Sequence, residues 1–259
     1  MIFCSKYVNT ALVFCCMLLI AQHVSSQRNM ADSAVGATWL SVQYGGGFPE
    51  ADLAERYGYL NHLGIFAGWK TRKNYVFGMD ANFMFGDKVH LRGLFDHLVD
   101  SYGNITDING EKAIVRVLSR GVYVNGVVGK VFNVLAVNPN SGIYANFGIG
   151  YLLHHLRVET QDHVVPQIEL EYKRGYDRLT TGVNTSQFLG YLLMADRGIL
   201  NFYAGFYVQQ GFTQNRRTIN YDQPDVPVST EIRLDLQYGF RFGWLIPIYS
   251  RKPQEFYFN

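Results

Sequence analysis

The sequence predicts an all-β protein: an eight-stranded antiparallel up-and-down transmembrane β-barrel with short periplasmic turns, long external loops and one loop partly helical. Three observations carry that expectation. Apolar and polar residues alternate with a period of two in run after run, giving each strand one greasy and one polar face. The links between runs alternate between short and long, as in outer-membrane barrels. Charged residues make up only 17% of the 259, while aromatics reach 15%, against a usual quarter or so of charge.

The first 26 residues stand apart. Lys6 supplies a positive start, Thr10 to Ala21 an apolar centre, and Val24-Ser25-Ser26 a small-residue cleavage site, which is the anatomy of a secretory signal peptide. The expected organisation is a signal peptide at 1–26, a periplasmic linker at 27–36, the barrel at 37–249 and a periplasmic tail at 250–259. Cys4, Cys15 and Cys16 all fall within the signal, so the mature chain offers no disulfide, thiolate ligand or cysteine nucleophile. A net charge of +2 gives no reason to expect nucleic acid. No later segment has 18 consecutive apolar residues, so no spanning helix is expected.

Eight strands follow in order. The first, Thr38 to Gly45, sets Leu40, Val42 and Tyr44 against Trp39, Ser41 and Gln43. In the second, Leu60 to Trp69, Leu63, Ile65, Ala67 and Trp69 oppose His62, Gly64 and Gly68. The third, Tyr75 to Gly86, alternates Phe77, Met79, Ala81, Phe83 and Phe85 with Gly78, Asp80 and Asn82. The fourth lies within Val117 to Val137, where the valines give no clear phase. The fifth runs from Ile143 to His154, the sixth from about Leu179 to Met194 with Gln187 breaking its apolar face, and the seventh from Asn201 to Gly211. The eighth, Glu231 to Ile248, is apolar at its even positions and polar or glycine at the odd ones up to Gly243. It exceeds the roughly 9–11 residues that a tilted spanning strand needs.

Short turns are expected at 70–74, 138–142 and 195–198, where Asn, Asp, Gly and Pro cluster. Long links are expected at 46–59, 87–118, 157–178 and 212–230. A soluble or secreted β-barrel would alternate too, and the polar face separates the two readings. It carries Gly, Asn, Gln and Tyr with charges of both signs, rather than the Lys, Glu, Ser and Thr of a soluble surface. Glycine is a poor strand residue unless a neighbour needs the room, as large side chains do inside a narrow barrel. The apolar face ends in Trp69, Tyr75, Phe85, Tyr238 and Trp244, placed as interfacial girdles would be.

Gln237, Gly239, Phe242 and Trp244 fit the polar-x-Gly-x-x-hydrophobic-x-hydrophobic pattern of the β-signal in a last barrel strand. The layout resembles the small OmpA/OmpX-like outer-membrane barrels. Segments 175–180 and 210–214 are similar to an uncharacterised Bacteroidota outer-membrane protein family. The resemblance spans about Thr38 to Tyr249. It implies the outer membrane of a Gram-negative bacterium, export by the general secretory route, and the outer-membrane assembly machinery as a partner. The last strand of that family ends on an aromatic, whereas here ten residues follow Tyr249. Asp32-Ser33-Ala34 is similar to a Bacteroidota O-glycosylation motif.

The lumenal charges Asp80, Arg233, Asp235 and Arg241 are expected to form a packed network, not a conduction path. An eight-stranded barrel is about filled by its own side chains, and buried charges need partners. Leu91, Leu94, Phe95, Leu98 and Val99 have the spacing of an amphipathic helix over Val89 to Tyr102, interrupted by Gly93. Lys173, Arg174, Arg178, Arg216 and Arg217 are candidate contacts to lipopolysaccharide phosphate. His154-His155 is a poor metal pair, since strand neighbours face opposite ways. No nucleophile motif is present, so no catalytic residue, metal or cofactor is expected, and the function expected is structural or interactive. Two other readings stay open. One is a lipid-modifying enzyme with His97 or His163 near a loop serine. The other is an accessory of an envelope secretion complex, reached through Phe256, Tyr257 and Phe258.

Overall fold

Strands form at every alternating run, and across the valine-rich stretch as well. The computed structural model describes residues 33–195 and 200–249. Its strands are β1 (Ala37–Ala51), β2 (Leu60–Lys70), β3 (Tyr75–Gly86), β4 (Ile105–Thr106), β5 (Lys112–Ala113), β6 (Arg116–Phe132), β7 (Gly142–Glu159), β8 (Thr180–Met194), β9 (Asn201–Asn215) and β10 (Arg233–Ile248). All but β4 and β5 close into one barrel in the order β1-β10-β9-β8-β7-β6-β3-β2. Each pairs antiparallel with its sequence neighbour, and β10 closes on β1 from Thr38 opposite Ile248 to Ala51 opposite Asp235. Closure leaves the barrel no sheet edge, while β4 and β5 pair with each other apart from it. Among the described residues no helix is long and apolar enough to cross a membrane.

The barrel is inverted relative to a soluble one. Ile65 is 60% exposed on the outer wall, while its neighbour Phe66 is 6% exposed inside. Leu40, Val42, Phe77, Met79, Phe206 and Phe240 face outward likewise. The inner face carries Ser41, Gln43, His62, Asp80, Asn125 and Arg241, all buried. The valine run of β6 gains its phase from the register: Val122, Val124 and Val128 are outside, Tyr123, Val127 and Val131 inside. Alternation is masked there because the lumen beside the short turns is itself apolar.

Several boundaries differ from expectation. β1 runs to Ala51, taking Gly46 to Ala51 out of the expected loop, because Gly47, Phe48 and Glu50 keep pairing with β10. β7 extends to Glu159 and β9 to Asn215. The turn expected at 138–142 spans 133–141 instead. The turn at 195–198 lies mostly outside the described residues, as do the signal peptide, most of the linker and the tail.

The amphipathic helix over Val89 to Tyr102 does not form; only a three-residue 3-10 turn, Asp96–Leu98, is present. Gly93 sits at φ 76°, a left-handed conformation that no helix interior tolerates. Leu91, Leu94, Phe95 and Leu98 still pack on the core beneath the long loops, so their apolar spacing reports burial without helix. The helical turns in the loops instead include Pro166–Ile168 and Leu170–Gly175.

Candidate functional site

Three places gather chemistry: the lumen, the face of long loops, and the outer rim where the wall meets those loops.

At the short-turn end the lumen is stoppered. Residues 33–36 were expected to be free linker, yet Val35 is buried, and its N–H donates to Asn140 Oδ1 at 2.7 Å. Lys70 Nζ, fully buried, donates to Val35 O at 3.0 Å and to Asn140 Oδ1 at 2.9 Å. Asn140 Nδ2 donates to Ser33 O at 3.1 Å. Asp32, the first residue of the expected glycosylation motif, lies outside the described residues.

Above this stopper sits a buried ion pair. Arg241 Nη1 lies 3.5 Å from Asp80 Oδ2, their side chains 5% and 3% exposed. Arg241 also donates to Tyr123 Oη at 3.3 Å and stacks over the Tyr207 ring at 4.9 Å. Gln43 donates to Asn82 Oδ1 and accepts from Tyr203 Oη, both at 2.7 Å. Glycine makes this packing possible. A Cβ on Gly47 would meet Tyr207 Oη at 2.4 Å, and one on Gly243 would meet the Tyr203 ring at 2.2 Å. The void among Asp80, Arg241, Gln43 and Tyr203 is about 10 Å³, room for at most about one water.

A second polar cluster lies toward the long loops. His154 Nε2 is 2.8 Å from Asp235 Oδ2, with both side chains fully buried. Tyr57 Oη is 3.1 Å from His154 Nδ1, Thr213 donates to Asp235, and Arg56 donates to Thr180 at 2.9 Å. Tyr57 and Arg56 come from the 52–59 link, which folds into the barrel and plugs it from above. Leu53, Leu94, Val165 and Ile168 bury themselves over that plug. Both mouths are therefore occupied by the chain's own residues.

The expected lumenal network divides accordingly. Asp80 and Arg241 are partners, and Asp235 pairs with His154. Arg233 is half-exposed at the rim, where it donates to Asn215. The partners of His154, His62 and Tyr57 escaped sequence reasoning because they are distant in the chain; Gln237 contacts His62 at 2.6 Å across 175 residues. Of the assembly-signal residues, Gln237 and Gly239 face inward on β10, whereas Phe242 and Trp244 face outward.

The loop face is cross-linked. Lys173 pairs with Glu169 at 2.9 Å, Arg178 with Asp222 at 2.5 Å and Arg217 with Asp177 at 2.5 Å. Three of the five expected lipopolysaccharide contacts thus already have carboxylate partners, and the hydrogen bonds that Arg217 donates to Asp177 raise its guanidinium pKa further. Arg174 is exposed. Asp107, Glu111 and His163 bring donor atoms within 4.8 Å of one another. Asp107 Oδ1 accepts the Asn109 and Glu111 N–H groups at 2.8 Å each, and Oδ2 faces His163 Nδ1 at 3.1 Å. The Glu111 N–H holds the Asp107 carboxyl below its usual range. A cation would have to compete with these bonds, so the geometry is that of a loop clasp. His97 Nε2 meets Tyr176 Oη at 2.8 Å. Among the described residues neither His97 nor His163 hydrogen-bonds to a serine.

At the outer rim the register aligns Phe85, Arg120 and His155 across β3, β6 and β7. Arg216 follows beyond Leu179, to whose carbonyl its N–H donates at 2.8 Å. Arg216 Nε donates to Thr181 Oγ1 at 2.6 Å, beside Tyr151 on the outer wall. Arg120 donates only to backbone carbonyls. Neither arginine is ion-paired among the described residues.

No family model matches the chain, and no curated protein does. Among solved structures, the chain is similar to Neisserial surface protein A (TM-score 0.38, 10% identity, 80% of this chain and 96% of that one). Another is OprG, an outer membrane protein from Pseudomonas aeruginosa (0.40, 8%, 86% and 100%). A third is Ail, the attachment invasion locus protein of Yersinia pestis, solved with the heparin analogue sucrose octasulfate (0.36, 8%, 82% and 98%).

Proposed function

We propose that this chain is an integral outer-membrane β-barrel with a structural or interaction role, closed to solutes and without catalysis. The observation that carries the reading is the inverted wall around a filled lumen. On β7 the outward apolar run from Ile143 to Leu153 covers ten residue steps, about 33 Å along the strand. At a tilt of about 40° that is roughly 25 Å along the normal, the height of a transmembrane band. Trp69, Tyr75 and Trp244 edge the wall at the short-turn end, and Phe48, Tyr59 and Tyr238 edge it below the loops.

The test is fractionation with heat-modifiable gel mobility, followed by planar-bilayer recording. An outer-membrane band that shifts on boiling, with no stable conductance, is expected. Recovery as a detergent-free soluble monomer would overturn the membrane reading, and steady large channels the closed one.

Arg120 and Arg216 favour a second element of the proposal. Unpaired guanidinium groups just above an apolar wall suit lipopolysaccharide phosphate. Arg120→Ala with Arg216→Ala should lower the lipid phosphate that co-purifies per barrel, whereas Arg217→Ala should leave it unchanged; equal loss in both would count against the assignment. A secretion-complex partner reached through Phe256, Tyr257 and Phe258 concerns residues outside those described, and pull-down with and without 250–259 tests it.

A further inference from the structure

The outer wall is interrupted at mid-height. Between its rims, the outward side chains of β1, β2, β3, β7 and β10 are apolar or aromatic except Gly46 and, near the loop-side rim, Asn61, whose Oδ1 accepts from Tyr44 Oη at 2.6 Å, and β6 adds only Gly126 to that pattern. On β8 and β9, however, Thr185, Gln187 and Gln210 point outward. Thr185 and Gln210 are direct cross-strand partners, and Gln187, opposite Val208, lies diagonally beside Gln210. Thr185 Oγ1 donates to Gln210 Oε1 at 2.7 Å, which leaves the Gln210 amide N–H groups unused. Gln187 makes no hydrogen bond to a described residue. Val183, Leu189, Phe206 and Phe212 surround the three, each at least half exposed.

The depth is what makes this costly. Gln187 lies six residues from Thr181 at the outer rim and six from Leu193 at the other. That is about 20 Å along the strand each way, or about 15 Å of depth at a tilt of about 40°. In hydrocarbon an amide has no water to bond, and lipid tails offer neither donor nor acceptor. A second copy of this chain, inserted the same way up, carries its own Gln187 at the same depth. A two-fold axis along the membrane normal preserves depth and sets like against like. Each amide then donates through Nε2 and accepts through Oε1, so the match is reciprocal, as polar residues join spans within bilayers.

We propose that the β8–β9 wall, centred on Gln187 and Gln210, is the face through which two copies of this barrel associate within the membrane. The inference rests on the membrane reading above. The full chain serves for the test, with one cysteine introduced and a bis-maleimide linker applied to intact cells. Leu189→Cys flanks the stripe, and Met79→Cys on β3 is the control on another wall. Expected is a doubled-mass band from Leu189→Cys at least tenfold stronger than from Met79→Cys, lost again when Gln187→Leu and Gln210→Leu are added. Those two leucines face lipid, so the heat-modifiable band should persist. Equal, weak cross-linking at both positions in a properly heat-modifiable barrel would overturn the dimer and leave the membrane reading standing. A band at some other mass would give the stripe to a different protein and equally overturn it. Loss of the barrel from the membrane fraction would sink the membrane reading itself.

Discussion

Asp80→Asn removes the counter-charge of Arg241 with almost no change of shape, and the surroundings set the cost. At 3.5 Å two unit charges attract by roughly 5 kcal/mol at an effective dielectric of about 20. Most of that offsets the desolvation of both groups, so the pair is poor evidence of net stability. Removing one partner is different, since the guanidinium stays buried; such changes cost about 3–5 kcal/mol. Arg241 keeps Tyr123 Oη and the Tyr207 ring, which places the expectation near 3 kcal/mol, about a hundredfold in the unfolding equilibrium. Urea unfolding in lipid vesicles, followed by the fluorescence of Trp39, Trp69 and Trp244, measures it. Replacing both partners, Asp80→Leu with Arg241→Met, should recover most of the loss, because no charge is left unpaired. The half-exposed Arg233→Gln should change stability by less than about 1 kcal/mol. If Asp80→Asn costs under about 1 kcal/mol, or the double variant is worse than the sum of its parts, the two groups are not a buried coupled pair and the reasoning fails.

Gly47→Val should destabilise by about 1–3 kcal/mol or block folding, since its Cβ would meet Tyr207 Oη at 2.4 Å and Gln237 Nε2 at 2.7 Å; a wild-type urea midpoint would show that the lumen is looser than described. Lys70→Met keeps the aliphatic stem but strips Val35 O and Asn140 Oδ1 of a buried donor, at about 1–3 kcal/mol. Hydrogen exchange at Val35 should quicken at least tenfold, and an unchanged rate would mean that Lys70 does not hold the stopper. The lowered Asp107 pKa makes the loop clasp stabilising above the ordinary carboxylate value of about 4. That contribution is lost as pH falls through the lower folded value. Protection across 105–113, taken relative to the intrinsic exchange rate at each pH, should therefore fall in acid, and Asp107→Asn should show lower protection already at neutral pH; a variant with the wild-type profile would contradict this.

How far the sequence reached depends on the range of the interaction. Period-two alternation is local, and it located every barrel strand and chose the outward face on β1, β2 and β3 before any contact was known. Where lumen and wall are both apolar, as around Val127 and Val131, the same signal is silent, and only the register with β3 and β7 sets the phase. Leu91, Leu94 and Phe95 show the limit of spacing: their burial was legible, but the left-handed Gly93 kept them from forming a helix.

The partners of buried charges were beyond sequence reasoning. Asp80 and Arg241 stand 161 positions apart, as do no two members of a local motif, and the barrel circumference alone brings them together. The same holds for Lys70 against Asn140, and for Tyr57 against His154 and Asp235. Loop cations that looked available in sequence, Arg178 and Arg217, proved to be tied to Asp222 and Asp177 when separate loops met. Gln187 lies between the two cases. Its break in the apolar face was visible in sequence, but closure of the sheet was needed to turn one polar residue into a stripe with Thr185 and Gln210. Residue-to-residue periodicity determined the strands and, except on β6, their outward faces, and the alternating link lengths pointed to the closed architecture. The tertiary structure decided which polar groups are satisfied and which are left facing out, because pairing across a barrel is fixed by register and not by proximity along the chain.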